Sequence, residues 1–270
     1  MSAGRDWAER GIADSSPASS SASAQPAGAL LTVEDVYAGY GGGDVLQGTT
    51  FAVNHGSITC VIGPNGAGKS TVGAVISGVH PVRRGAVRLA GEEITGFRPR
   101  RILERGVVQV PQNHSLFRKM TVRENVEFGA FLLRDRALVR RRYNEVVELF
   151  PVVREHASQK AGSLSGGQQR LVEFARSLMM SPRLVILDEP SLGLDPHTMR
   201  AVFGMIRQMN STGLTVLLIE QNARAALRLS SHAIVLESGR VRLAGSGRDV
   251  LGNPEIGQLF LGGVVGTGAA

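Results

Sequence analysis

Apolar residues follow two rhythms along the chain. The runs at 58–62, 184–187 and 215–219 are rich in β-branched and aliphatic residues at every position, not every second one. Such runs fit strands buried on both faces. Each is followed by a helical stretch, the first at 70–78, and strands alternating with helices predict a parallel α/β sheet. Upstream, Leu31, Val33, Tyr37, Val45, Leu46, Phe51 and Val53 read as shorter strands broken by Gly41-Gly42-Gly43. Residues 115–180 are mainly helical in pattern. Within them Val139, Tyr143, Val146, Val147 and Phe150 recur three to four apart, which puts Arg140, Arg141 and Arg142 on a solvated helix face. Residues 233–237 and 240–244 flank Ser238-Gly239, a hairpin pattern. Residues 1–28 are rich in Ser, Ala and Gly with no apolar period, and Trp7 stands isolated among them. They cannot bury enough surface to offset ordering entropy, so a disordered extension is expected, with the fold starting near Leu30.

Composition narrows this little. The chain has 270 residues, 43% hydrophobic and 20% charged, enough for one large domain or two small ones. No stretch approaches the roughly 18–20 apolar residues that span a bilayer, and the N-terminal segment lacks the apolar core of a signal peptide. The single cysteine, Cys60, lies in an apolar run. It is expected to be inert core packing, and one cysteine allows no disulfide within the chain, which suits the cytosol. The net charge of +7 leaves three readings open: nucleic acid, an anionic lipid surface, or a merely basic soluble surface. The aromatic interleaving of a single-strand binder is absent.

The chemistry lies in two segments. Gly63-Pro64-Asn65-Gly66-Ala67-Gly68-Lys69-Ser70-Thr71 fits G-x-x-x-x-G-K-[ST] directly after a strand run and before a helix. Its glycines let the backbone wrap phosphates, and the N–H groups and helix N-terminus supply positive potential. Lys69 is expected to reach the β- and γ-phosphates, and the Ser70 hydroxyl to bind Mg²⁺. Asp188 closes the second apolar run, at the strand edge where ligands sit in open α/β sheets. It is expected to hold Mg²⁺ through water. Glu189 follows and can polarise the attacking water.

Residues 164–170, Leu-Ser-Gly-Gly-Gln-Gln-Arg, and 184–190, Leu-Val-Ile-Leu-Asp-Glu-Pro, complete the picture. Ser165 can cap the next helix, with Leu171, Phe174, Ala175 and Leu178 as its apolar positions, and Gly166 and Gly167 would let a γ-phosphate approach its N-terminus. With Ser165-Gly166-Gly167-Gln168 beside the phosphate loop, the chain resembles the ATP-binding subunits of ABC transporters over about residues 30–263. The resemblance implies an α/β P-loop NTPase: a mainly parallel sheet core, an antiparallel β subdomain and a helical subdomain at about 112–165. The domain would occupy 29–263, followed by a flexible tail at 264–270. The cofactors implied are ATP and Mg²⁺. Two such subunits would meet head to tail, each offering Ser165–Gln168 to the other's ATP. Tyr40 looks like the aromatic that stacks on adenine, with core packing as the alternative. Gln112 looks like the loop glutamine that senses Mg²⁺ or water and faces the membrane partner. Asp195, in Ser191-Leu192-Gly193-Leu194-Asp195-Pro196, looks like part of the interface loop. It can also cap a helix with Pro196 at the first position.

One position departs from the family's commonest pattern. Gln221 stands where most relatives carry a histidine facing the γ-phosphate, and an amide can donate but cannot become cationic. Glu220-Gln221-Asn222-Ala223, with Phe260-Leu261-Gly262-Gly263, is similar to one of the two ATPases of branched-chain amino-acid-type importers, or of urea and amide importers. That resemblance implies a different ATPase chain as partner, two permeases and, indirectly, an extracytoplasmic solute-binding protein. It implies peripheral attachment to the cytoplasmic face of the membrane and no nucleic acid. The rival readings are a soluble ABC-type ATPase acting on nucleic acid, a regulatory ATP-binding partner, and export instead of import.

Overall fold

The computed structural model describes residues 28–256. The extension expected at 1–28, apart from Gly28, the Phe260–Gly263 feature and the tail at 264–270 lie outside the described residues. In chain order the elements are β1 (Ala29–Ala38), β2 (Leu46–Asn54), β3 (Ile58–Ile62), α1 (Lys69–Ile76), β4 (Arg84–Leu89), β5 (Glu92–Glu93), α2 (Pro99–Glu104), β6 (Val107–Val110), α3 (Val122–Phe128), α4 (Arg136–Leu149), α5 (Pro151–Glu155), α6 (Gly166–Leu178), β7 (Leu184–Asp188), α7 (Pro196–Ser211), β8 (Thr215–Glu220), α8 (Ala223–Leu229), β9 (His232–Glu237), β10 (Arg240–Gly245) and α9 (Gly247–Gly252). They form two compact units, one of Arg100–Val216 and one of 28–99 with 217–256; the division passes through β8.

The second unit holds a four-stranded antiparallel sheet ordered β2-β1-β4-β5. Val33 faces Phe51 on one side and Val87 on the other, and all three are buried. The strand β4 escapes a sequence reading because it opens Arg-Gly and only Val87 and Leu89 are buried. Gly85 has φ 91°, and a Cβ there would lie 2.3 Å from Asp35 O, so the strand begins where only glycine fits. β3 is buried at all five positions and runs parallel to β9, which turns back into antiparallel β10. Cys60, inside β3, is fully buried, and burial pushes its thiol up to about 11. It packs as an inert core residue.

The expected hairpin turn forms at Ser238-Gly239, with φ of 46° and 75°. It also ties down its surroundings. Gly239 O accepts from Gln47 N at 2.9 Å and from Thr49 Oγ1 at 2.6 Å, while Gly239 N donates to Ala67 O at 3.0 Å. One dipeptide thus fastens β2 and the phosphate loop to the β9–β10 hairpin.

The first unit pairs β6 parallel to β7, Val107 facing Leu184 and Val110 facing Leu187. Helices α3 and α4 start where short polar side chains cap free N–H groups, whereas α5 starts at Pro151 with no side-chain cap. Thr121 and Glu124 form a capping box on α3, and Asp135 caps α4. On α4, Tyr143, Val146 and Val147 are buried as expected, with Phe150 just beyond the helix, whereas Val139 is only half-buried. Arg140 and Arg141 are exposed. Arg142 departs from the expected solvated face: its side chain is 13% exposed and folds onto Glu145 at 3.2 Å. A long aliphatic stem gains by lying along the helix while its head stays paired.

A side chain at Gly239 would meet Val45 O at 1.9 Å in a backbone conformation with positive φ. Gly239→Ala is therefore expected to cost about 1–3 kcal/mol, read from the denaturant midpoint. Nucleotide affinity should fall with it, because relieving the clash shifts the residue 239 N–H that Ala67 O accepts from.

Candidate nucleotide-binding and hydrolysis site

The phosphate loop leaves β3 and enters α1. Gly63, Ala67, Gly68 and Lys69 are buried, while Pro64, Asn65, Gly66 and Ser70 form an exposed rim. Gly68 caps α1 in a left-handed conformation, φ 100°, without a side chain. Gly63 has no room for one: a Cβ would lie 2.3 Å from Leu236 O. The N-terminal N–H groups of α1 therefore end in bare backbone, the arrangement that accepts an anion. The Lys69 Nζ donates to Gly63 O at 2.9 Å and Pro64 O at 3.1 Å, which holds the ammonium within the ring of the loop. Thr71 is buried behind it.

The carboxylates lie in the other unit. β7 delivers Asp188, and Glu189 follows with φ 45°, which turns the chain off the strand. Both are largely buried. The Gln112 Nε2 donates to Glu189 Oε2 at 2.8 Å, so the predicted base and the predicted loop glutamine are already joined. That bond orients one carboxylate oxygen and leaves the Gln112 amide oxygen as a possible magnesium or water ligand.

The sequence reading did not find what holds Gln112. Three residues on one face of α6 grip the segment 111–115 by its backbone. Arg170 donates to Pro111 O at 3.2 Å and Gln112 O at 2.8 Å. Glu173 accepts from Ser115 N at 2.5 Å, and Arg176 donates to Ser115 O at 2.9 Å. Arg170 and Glu173 pair with each other at 2.9 Å, with side chains 2% and 0% exposed. Burial lowers the Arg176 pKa, and the Glu173 charge opposes that. The clue was present: opposite charges three apart beside the apolar Phe174.

The signature segment begins that same helix. Ser165 accepts from Gln168 N, and Gln168 Oε1 accepts from Ser165 N at 3.0 Å, so the expected cap is a full capping box. The Gln168 side chain is therefore committed within its own chain, with its other end on His156 Nε2 at 3.2 Å. The two glycines separate in role. Gly166 is exposed, and a Cβ there would find only Leu194 Cδ2, at 3.9 Å. Gly167 is buried, and a Cβ would lie 2.2 Å from Thr198 Cγ2. Gly167 is therefore also required by the packing of α7 on α6, a reason the sequence reading did not contain. Leu171 is likewise half-exposed, with Val172 buried in its place.

Asp195 caps α7, accepting from His197 N at 2.9 Å and Thr198 N at 3.1 Å, with Pro196 in the first turn. The Thr198 hydroxyl, then the Thr198 N–H, hold its carboxyl below the usual range. This contribution to folding is present above the ordinary carboxylate range and is lost as pH falls through the lowered value. Tyr40 is 62% exposed, which removes core packing as its role. Gln221 is exposed too, and its position is set by Glu220, a buried carboxylate at the end of β8 that accepts from Gln221 N and Asn222 N, both at 3.1 Å.

The donors expected for Mg²⁺ are a hydroxyl, a carboxylate and an amide oxygen, all hard ligands. Among the described residues no group of three or more His, Cys, Asp and Glu could hold a metal alone. Hard oxygen donors of this kind suit Mg²⁺, which keeps waters and takes its remaining ligands from substrate phosphates.

Gly167→Ala should destabilise the fold by about 1–3 kcal/mol through overpacking. Adding Thr198→Ser should recover most of the loss, since the next atom, Thr198 Cβ, lies at 3.6 Å, an ordinary contact. Thermal melts of the single and double variants check this.

Comparison with known proteins agrees with this layout. A family profile described as "ABC transporter" matches residues 46–192. The chain is similar to the high-affinity branched-chain amino acid transport ATP-binding protein BraG of Pseudomonas aeruginosa, 38% identical over 234 residues that cover 87% of this chain and 100% of that one. It is also similar to the lipopolysaccharide export system ATP-binding protein LptB of Acidithiobacillus ferridurans, 33% identical, covering 86% of this chain and 97% of that one. Among solved structures, the ADP conformation of an ATP-binding cassette of an ABC transporter matches with a TM-score of 0.79 at 28% identity, covering 87% and 99% of the two chains. The chain belongs to the ABC transporter family, as one of its ATP-hydrolysing subunits.

Proposed function

We propose that this ATPase powers an importer of branched-chain amino acids or related small polar solutes. The observation that carries the reading is the 38% identity with BraG over the full length of that protein. The segment Glu220-Gln221-Asn222-Ala223 supports it. ATP would bind with its phosphates on the loop at 63–71. Lys69 would then exchange its loop carbonyls for phosphate oxygens, with Mg²⁺ taken by Ser70 and Asp188. Glu189, oriented by Gln112, would accept the proton of the attacking water. Gln221, pinned by Glu220, would donate to the γ-phosphate. The exposed Ser165 and Gly166 would serve the ATP of a second ATPase, a different chain in this reading.

A membrane partner is supported by an open groove lined by Leu103, Val110, Phe117, Phe128, Phe131 and Met180. Phe117 and Phe128 meet edge to face at 4.9 Å, and Phe128 and Phe131 stack at 5.8 Å, all three exposed. Exposed aromatics of this kind mark a surface that a partner covers. No helix among the described residues is long and apolar enough to cross a membrane. Peripheral attachment at the cytoplasmic face, through permeases at this groove, follows from the reading. LptB favours a second reading, export of a lipid-linked glycan.

Reconstitution with candidate permeases and a candidate second ATPase decides between the two. Uptake of labelled leucine or urea supports import. ATP turnover stimulated only by lipopolysaccharide overturns it. Glu189→Gln is expected to lower turnover by about 10²–10⁴-fold while ATP binding persists. A variant hydrolysing at the wild-type rate sinks the role given to Glu189.

A further inference from the structure

The loop that carries Tyr40 cannot hold itself in place. Four of the six residues from Gly39 to Asp44 are glycine, which is costly to order. The loop closes on itself: Val45 N donates to Ala38 O at 2.8 Å, and a Cβ on Gly39 would lie 2.1 Å from Gly43 O. It buries no side chain of its own. Its rigidity comes from the segment after α1. Arg83 Nη2 donates to Gly39 O at 3.0 Å and Gly41 O at 2.5 Å. Arg83 Nη1 donates to Gly43 O at 3.3 Å and Asp44 Oδ1 at 2.9 Å. One guanidinium thus fills the loop and meets four of its oxygens. His80 donates from Nε2 to Gly39 O at 3.1 Å, and its ring lies under Tyr40 with centroids 4.3 Å apart and planes 36° apart.

Tyr40 therefore stands exposed on a second ring. That second ring is tied to α1, since His80 N and Val79 N both donate to Ala74 O, at 3.0 and 2.9 Å. α1 is the helix that opens with Lys69. A base stacked on Tyr40 and a phosphate at Lys69 would be held by one continuous piece of chain.

We propose that His80 and Arg83 are positioning residues for Tyr40, and that together they build the platform that gives the site its affinity for the adenine base. The proposal rests on Tyr40 being the adenine-stacking residue. An isolated surface arginine contributes little, but a planar fork saturated by four oxygens of one loop fixes geometry. The aromatic pair beneath adds its own preference.

The test compares ATP with tripolyphosphate, which offers phosphates without a base, by equilibrium binding to the full chain. Tyr40→Ala should weaken ATP by about 5- to 100-fold, as loss of one base–aromatic stack does, and leave tripolyphosphate unchanged. His80→Ala and Arg83→Ala should each weaken ATP by about 2- to 10-fold, again without changing tripolyphosphate. His80→Phe should restore most of the His80→Ala loss, and Tyr40→Ala with His80→Ala should bind no worse than Tyr40→Ala alone. If Tyr40→Ala binds ATP normally, the stacking reading itself fails. If Tyr40→Ala weakens ATP but His80→Ala and Arg83→Ala do not, the stacking reading stands and the positioning role is overturned. Equal losses for ATP and tripolyphosphate would also overturn it, since they would show general damage to the fold.

Discussion

The buried pair Arg170–Glu173 is the contact on which the position of the Gln112 loop depends. It sits on α6, the helix that opens with the signature segment, and it grips the loop of Gln112 through main-chain atoms. Gln112 in turn holds Glu189. An unbroken chain of hydrogen bonds thus runs from the helix that begins at Ser165 and Gly166 to the Glu189 carboxylate. The bonds reach main-chain atoms of the loop, so they hold its backbone whatever the rotamers of the loop's own side chains.

A buried ion pair is a poor choice for stability alone. Desolvation offsets most of the attraction, while removing one partner costs about 3–5 kcal/mol. What such a pair supplies is geometry. The guanidinium fork reaches two successive carbonyls, Pro111 and Gln112, and a carboxylate at once, which no apolar replacement can do. The same device recurs in the other unit. Arg83 organises a glycine-rich loop through its carbonyls, and Glu220 fixes the Gln221-Asn222 backbone through its N–H groups. In each case a charged side chain holds a segment by its backbone; Tyr40 and Gln221 are left exposed, while Gln112 is half-buried on Glu189.

Glycine has two uses here, and they are physically different. Gly68 and Gly239 need a backbone conformation that other residues resist. Gly63 and Gly167 need the absence of a Cβ, because Leu236 O and Thr198 Cγ2 already occupy its place. A motif written as Ser-Gly-Gly-Gln hides this distinction. Its first glycine is open for a ligand, and its second belongs to the contact between α6 and α7.

Local rules determined much of this protein from sequence. The doubly buried strands, the glycine loop before α1, the caps at Ser165 and Asp195 and the Ser238-Gly239 turn all follow from contacts within a few residues, so a short window of sequence contains their cause. The burial of Tyr143 and Phe174 follows from helical period in the same way. Tertiary structure alone decided the rest. The grip of Arg170 and Glu173 on 111–115 spans about 58 residues, and the seat of Tyr40 on His80 and Arg83 spans about 40. The joining of Gln112 to Glu189 spans 77. No period or propensity encodes such pairings. They exist because a buried polar group must find a partner wherever the fold brings one within reach, and that is known only once the chain has folded.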